Sequence, residues 1–292
     1  VVLSAKSQSS RPALVVRLAA VFVAVTIWWL VLYHGVNAVV GDDEYTRGGH
    51  VLRAVGATLG TVPLIYLALR FLDRRSWSAL GLTSVGRGWR AFLFGVGCWG
   101  IPAAVSAAIM LGLGWADLTV RSSLPEILWG SIALVALVLL YEAVPEELIF
   151  RGYFFTNLAE RWPTAITVLA QAILFTLWGV LIGAAGSIER PILFFAFSLV
   201  QGALRATTGN LWACIGFHAT FQLATQFLGN QWNYLDLHDP DLNVTGLSFV
   251  VIPFLSTALV LWLVARKRRQ STNRSRNSMA TGRNRAGNQN GP

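Results

Sequence analysis

The chain has 292 residues, 54% of them hydrophobic and only 13% charged. Water-soluble domains carry about a quarter charged residues, so composition excludes an ordinary soluble globule and points to a polytopic membrane protein with the lipid bilayer as its partner. The formal net charge of +9 would suit nucleic acid, but Arg and Lys cluster between apolar runs and at the two ends, which is the pattern of membrane topology; no nucleic-acid partner is expected.

A bilayer core of roughly 30 Å needs about 20 apolar residues in helical form. In chain order such runs occupy residues 14–36, 51–72, 90–114, 126–145, 164–184, 191–207, 211–229 and 246–265. The stretch before the first, VVLSAKSQSSRP, is short and polar. No small-residue cleavage site follows the run, so the first span is expected to stay as an anchor. The sixth run is the weakest, being short and interrupted by Gln201. The expected fold is therefore an all-α polytopic membrane helical bundle of about eight transmembrane helices. Cys98 and Cys214 both lie inside apolar runs and read as small packing residues; no C-x-x-C spacing suggests a metal.

Loop charges give an orientation. Lys6, Arg11 and Arg17 precede or open the first span; Arg70, Arg74, Arg75, Arg87 and Arg90 surround the second connection. Arg151 and Arg161 mark the fourth connection, Arg205 the sixth, and RKRR at 266–269 follows the last span. The other connections are acidic or mixed: GDDEY at 41–45, Asp117 with Arg121, and DLHDPD at 236–241. Every basic cluster falls on one side if both termini are cytoplasmic, in a multi-pass protein of the cell membrane. Beyond Arg269 the sequence is nearly free of apolar residues, too few to offset the entropy of ordering, so a disordered tail is expected.

The chemistry concentrates in EAVPEELIFRGYFF, residues 142–155. Glu142 and Glu146 are four apart and share a helix face; Glu147 and Arg151 are also four apart and can pair along another. Pro145 lies between them and should kink the helix near position 141. Carboxylates at membrane depth are costly and are functional candidates by default. A glutamate in such a place can serve as a general base toward water. On spacing alone, a plain juxtamembrane ion pair between Glu147 and Arg151 explains the cluster equally well.

Glu146-Glu147-Leu-Ile-Phe-Arg151-Gly152 resembles the EExxxR motif of the CAAX-protease and bacteriocin-processing family, also called Abi proteins. GALRATTGNLWACIGFHATFQ, residues 202–222, resembles that family's closing segment, in which a histidine opens an H-x-x-x-N or H-x-x-x-D motif. The resemblance covers roughly residues 125–228 and divides the chain into N-terminal helices (1–124), a protease-like core (125–228), a last helix with its loop (229–269) and a basic tail (270–292). Two positions depart from the family pattern. Gly179 stands where the F-x-x-x-H motif, here beginning at Phe175, would place a histidine, and Gln222 replaces the closing Asn or Asp.

The resemblance implies an intramembrane endopeptidase acting on a membrane-associated peptide or protein. Carried over residue by residue, Glu146 is the general base, Glu147 its neighbour tied to Arg151, and His218 with Gln222 the pair that steadies the oxyanion. Glu142 lies outside the family motif and is added as a candidate that could share the missing histidine's role. The resemblance leaves zinc open as a cofactor. The residues commit to none, since zinc favours His and Cys ligands and only His218 is placed to supply one. The alternative implied by Gly179 is a catalytically impaired relative serving as a membrane binding or scaffold protein.

Overall fold

The computed structural model describes residues 11–41, 45–228 and 232–287. The acidic residues 42–44 lie outside the described residues, as do residues 1–10 with Lys6. Among the described residues eight long helices form the chain. They are α1 (Leu14–Val40), α2 (Arg47–Asp73), α3 (Val85–Gly112), α4 (Leu124–Leu158), α5 (Thr164–Leu181), α6 (Glu189–Thr208), α7 (Leu211–Leu228) and α8, which opens with π-helical turns over Asn243–Val251 and continues as α-helix over Ile252–Gly287. Seven candidate spans are long and apolar enough to cross a membrane. The exception among the eight is α7, whose apolar run is interrupted by His218, Gln222 and Gln226.

Burial shows why these helices belong in lipid. Large apolar side chains point outward, among them Val15, Leu59, Phe71, Ile101, Trp129 and Leu255, each more than half exposed. Charged and amide side chains such as Glu147, Arg151 and Gln201 are fully buried. A water-soluble protein does the reverse. In lipid the helix is the form that satisfies every backbone polar group within the segment, so the apolar runs fold as helices and turn their polar residues toward one another.

α4 extends well past residue 145, where its apolar run ends in the sequence. Pro145 lacks an amide hydrogen, and the helix opens into π-helical turns on both sides of it, over Leu139–Ala143 and Leu148–Phe154. The residues that follow are buried from Leu148 to Phe155, so packing carries the helix on to Leu158.

α7 crosses the bundle beside α3, in parallel. At one end the Leu211 amide donates to the Gly81 carbonyl at 3.0 Å. Glycines then let the two backbones touch. A Cβ at Gly95 would collide with the Ala213 carbonyl, and one at Gly216 with the Phe92 carbonyl. Such small-residue seams drive helix association in membranes. At the far end two short strands pair antiparallel: β1 (Asp117–Val120), between α3 and α4, and β2 (Leu235–His238), between α7 and α8. Arg121 pairs with Asp236 beside them. The two connections read as lying on one side therefore meet, although no strand was expected there.

The backbone of α8 is helical to Gly287, past Arg269, where composition predicts that order ends. Helical continuation needs only hydrogen bonds within the segment, which a polar sequence can make once the apolar part has nucleated the helix.

Candidate active site

Glu147 is completely buried, and its Oε1 gathers donors from three helices. Arg151 Nη1 on α4 donates to it at 3.1 Å, and Gln201 Nε2 on α6 donates at 3.1 Å. His218 Nδ1 on α7 lies 2.8 Å away. A carboxylate oxygen only accepts, so this contact places a ring proton on Nδ1 and turns Nε2 away from Glu147. Arg151 supplies the countercharge that a carboxylate buried at this depth requires. Its guanidinium lies 4.6 Å from the Phe175 ring centre and 5.6 Å from that of Phe197.

Surrounding contacts fix these groups. Gln201 Nε2 also donates to the Cys214 carbonyl at 3.1 Å, which sets the orientation of the amide. The Phe197 ring meets His218 edge-on, with centroids 4.8 Å apart. Arg205 Nε donates to the Arg151 carbonyl at 3.0 Å and its Nη2 to the Leu80 carbonyl at 3.1 Å, tying α6 to the end of α4 and to the loop before α3.

Glu146 differs from its neighbour. Its side chain keeps 11% of its exposure, and its Oε2 stands 4.0 Å from His218 Nε2, beyond direct hydrogen bonding. One histidine is therefore gripped by Glu147 through one ring nitrogen and turns the other toward Glu146. Glu147 Oε2 and Gln201 Oε1 are buried beside it without hydrogen-bond partners among the described residues.

Of the residues singled out in the sequence, Glu146, Glu147, Arg151 and His218 come together. Glu142 lies apart: its Oε1 accepts from Gln226 Nε2 at 2.8 Å, two turns along α7 from His218. Gln222 is half-buried, one turn beyond His218, and no hydrogen bond joins its amide to Glu147 or His218 among the described residues. Gly179 is buried on α5, where a Cβ would fall 2.5 Å from the Phe194 ring. Phe194 thus fills the space into which a side chain at 179 would grow. Sequence reading missed Gln201 and Arg205. The one available signal was an amide inside an otherwise apolar span, taken there as a defect.

The donor set does not fit a zinc ion. Among the described residues no three His, Cys, Asp or Glu side chains converge as metal ligands. Glu147 Oε1 is already shared by three donors, and Gly179 supplies no nitrogen.

No curated protein and no solved structure matches this chain. The family model described as Type II CAAX prenyl endopeptidase Rce1-like matches residues 128–224. That stretch holds Glu146, Glu147, Arg151, Gln201 and His218, every side chain of the buried cluster. That match agrees with the resemblance of this segment to the CAAX-protease and bacteriocin-processing family.

Proposed function

We propose that this membrane protein is an intramembrane endopeptidase in which Glu146 activates a water molecule against a peptide bond of a membrane-associated substrate. The observation that carries the reading is His218, held at Nδ1 by Glu147 and standing 4.0 Å from Glu146 at Nε2. A single water can contact both Glu146 Oε2 and His218 Nε2 across that gap. His218 then supplies the second contact to the water that the absent histidine at 179 does not.

In this scheme Glu146 takes a proton from the water as its oxygen bonds to the scissile carbonyl carbon. The tetrahedral oxyanion is steadied by a hydrogen-bond donor, and the amide of Gln222 is the candidate on the same helix as His218. Collapse of the intermediate breaks the carbon–nitrogen bond, and Glu146 returns its proton to the leaving amine. Glu147, Arg151 and Gln201 hold His218 in one tautomer and take no proton themselves. The protein sits in the cell membrane with both termini on the cytoplasmic side, consistent with the basic residues at the ends of α1, α2, α4 and α8.

A specific observation favours the second reading, a non-catalytic membrane binding protein: Phe194 stands in the space of the expected histidine. One experiment separates the two. Wild type and Glu146→Gln are expressed at equal abundance in host membranes, and new C-termini in the membrane proteome are mapped by mass spectrometry. The protease reading expects cleavages in the wild type that fall by about 100-fold or more in the variant. Identical peptide maps would support the scaffold reading instead.

A further inference from the structure

A cavity of about 360 Å³ lies away from the glutamate site, lined by Arg11, Pro12, Ala13, Arg17, Arg75, Glu160 and Arg161. It forms where the start of α1, the end of α2 and the end of α4 meet, so it opens at one boundary of the membrane-spanning region. Arg17 is only 3% exposed. It pairs with the buried Asp73, donates to Asn157 Oδ1 at 2.8 Å and lies 3.5 Å from Glu160. Arg75 pairs with the other oxygen of Glu160 at 2.5 Å.

These pairs do not neutralise the cavity. Four arginines line the cavity with one carboxylate, Glu160; counting Asp73, the buried partner of Arg17, a surplus of two positive charges remains. Arg11 and Arg161 have no carboxylate partner among the described residues, and Nε of both Arg11 and Arg17 is buried without a hydrogen-bond partner there. The first turn of α1 opens onto the same space. Ala13 at its head offers no side-chain cap, and that turn holds no acidic residue. Helix N-termini carry unsatisfied N–H groups and a positive dipole end, both of which attract anions.

We propose that this cavity binds a phosphate group, and that its source is the headgroup of an anionic phospholipid. The lining is polar and cationic, which suits a phosphodiester and not an acyl chain. Acyl chains have their place alongside: Val15 and Val16 on α1 are 75% and 57% exposed, and Trp162 is 44% exposed at the end of α4. Trp at that depth is characteristic of a membrane–water boundary. The volume accommodates a phosphate with its glycerol. Arg17 lines the cavity and, through Asp73 and Asn157, holds α1, α2 and α4 together, so a bound headgroup braces the end of the helix that carries Glu146.

The test uses the full chain, purified in detergent and stripped of lipid, with unfolding temperature followed against added phosphatidylglycerol, phosphatidylcholine or inorganic phosphate. Phosphatidylglycerol is expected to raise the unfolding temperature and phosphatidylcholine is not. The double variant Arg75→Gln, Arg161→Gln should bind phosphatidylglycerol about tenfold or more weakly. Arg87→Gln, which removes an exposed charge outside the cavity, should keep the full response. If inorganic phosphate alone reproduces the gain and the double variant abolishes it, the phosphate site stands and its source is free phosphate. Glu160→Gln provides a check of opposite sign that does not depend on the double variant folding: it removes a negative charge from the lining and should tighten binding. Equal responses to phosphatidylglycerol and phosphatidylcholine, a double variant that responds like wild type, or a Glu160→Gln variant that binds no tighter would each overturn the proposal.

Discussion

Glu147 and Glu146 are adjacent in sequence, yet they do different work because a helix turns them by about 100° relative to each other. Glu147 faces inward and is neutralised by Arg151; Glu146 keeps a measure of exposure beside His218. Removing the charge of Glu147 would strand Arg151 in a buried site. Glu147→Gln should therefore destabilise the protein by about 3–5 kcal/mol, whereas Glu146→Gln should leave the unfolding temperature nearly unchanged. Thermal unfolding of both variants in detergent checks this, and equal losses would remove Glu147 from its structural role. The EExxxR spacing made the Glu147–Arg151 pair legible in the sequence, because four residues along a helix bring side chains together. Gln201 was not legible in the same way. Its hydrogen bond to Glu147 spans 54 positions, and nothing local says that α6 will lie against α4.

Among the elements, α7 is the one on which the site depends most. It carries His218, and it falls short of a span by apolarity where the sixth run, expected to be the weakest, qualifies; two of its polar side chains, His218 and Gln226, meet glutamates of α4. Its position is set by the seam with α3, where Gly216 lies two residues from His218 and faces the Phe92 backbone. A methyl group at Gly216 meets backbone, which cannot swing aside. Gly216→Ala should therefore cost about 1–3 kcal/mol of stability and draw His218 away from Glu147. Gly97→Ala, where the added Cβ would meet only the Ile101 side chain at 3.5 Å, should be tolerated. Matching melting curves for the two variants would argue against a close-packed seam. The helices themselves could be read from apolar runs of the right length. The extension of α4 through Pro145 could not, because the π-helical turns that absorb the missing amide depend on the buried packing beyond it.

At the scale of the whole molecule, the interior is polar around Glu147, Arg151 and Gln201 and the exterior is apolar where lipid is expected. Basic residues that are scattered along the chain gather at one end of the bundle. Arg17 and Arg75 meet Glu160, Arg205 reaches the Leu80 carbonyl, and Arg268 reaches that of Thr207. The opposite end is closed by the paired strands and Arg121 with Asp236. The charge pattern of the loops thus foretold which connections share an end, although it gave no sign of the cavity that Arg11, Arg17, Arg75 and Arg161 enclose. Under the proposed endopeptidase function, a site assembled from α4, α6 and α7 within such a bundle would meet substrates that are themselves held in the membrane.

If Glu146 directs water onto a peptide bond, the product must carry the water's oxygen and must be lost when Glu146 is neutralised. The full chain is reconstituted into liposomes with a pool of membrane-anchored peptides, in water enriched in oxygen-18. Wild type should yield cleaved products whose new carboxylate carries one oxygen-18 atom, and Glu146→Gln should yield about 100-fold less of them. Products formed equally by both proteins, or cleavage without the label, would contradict the account.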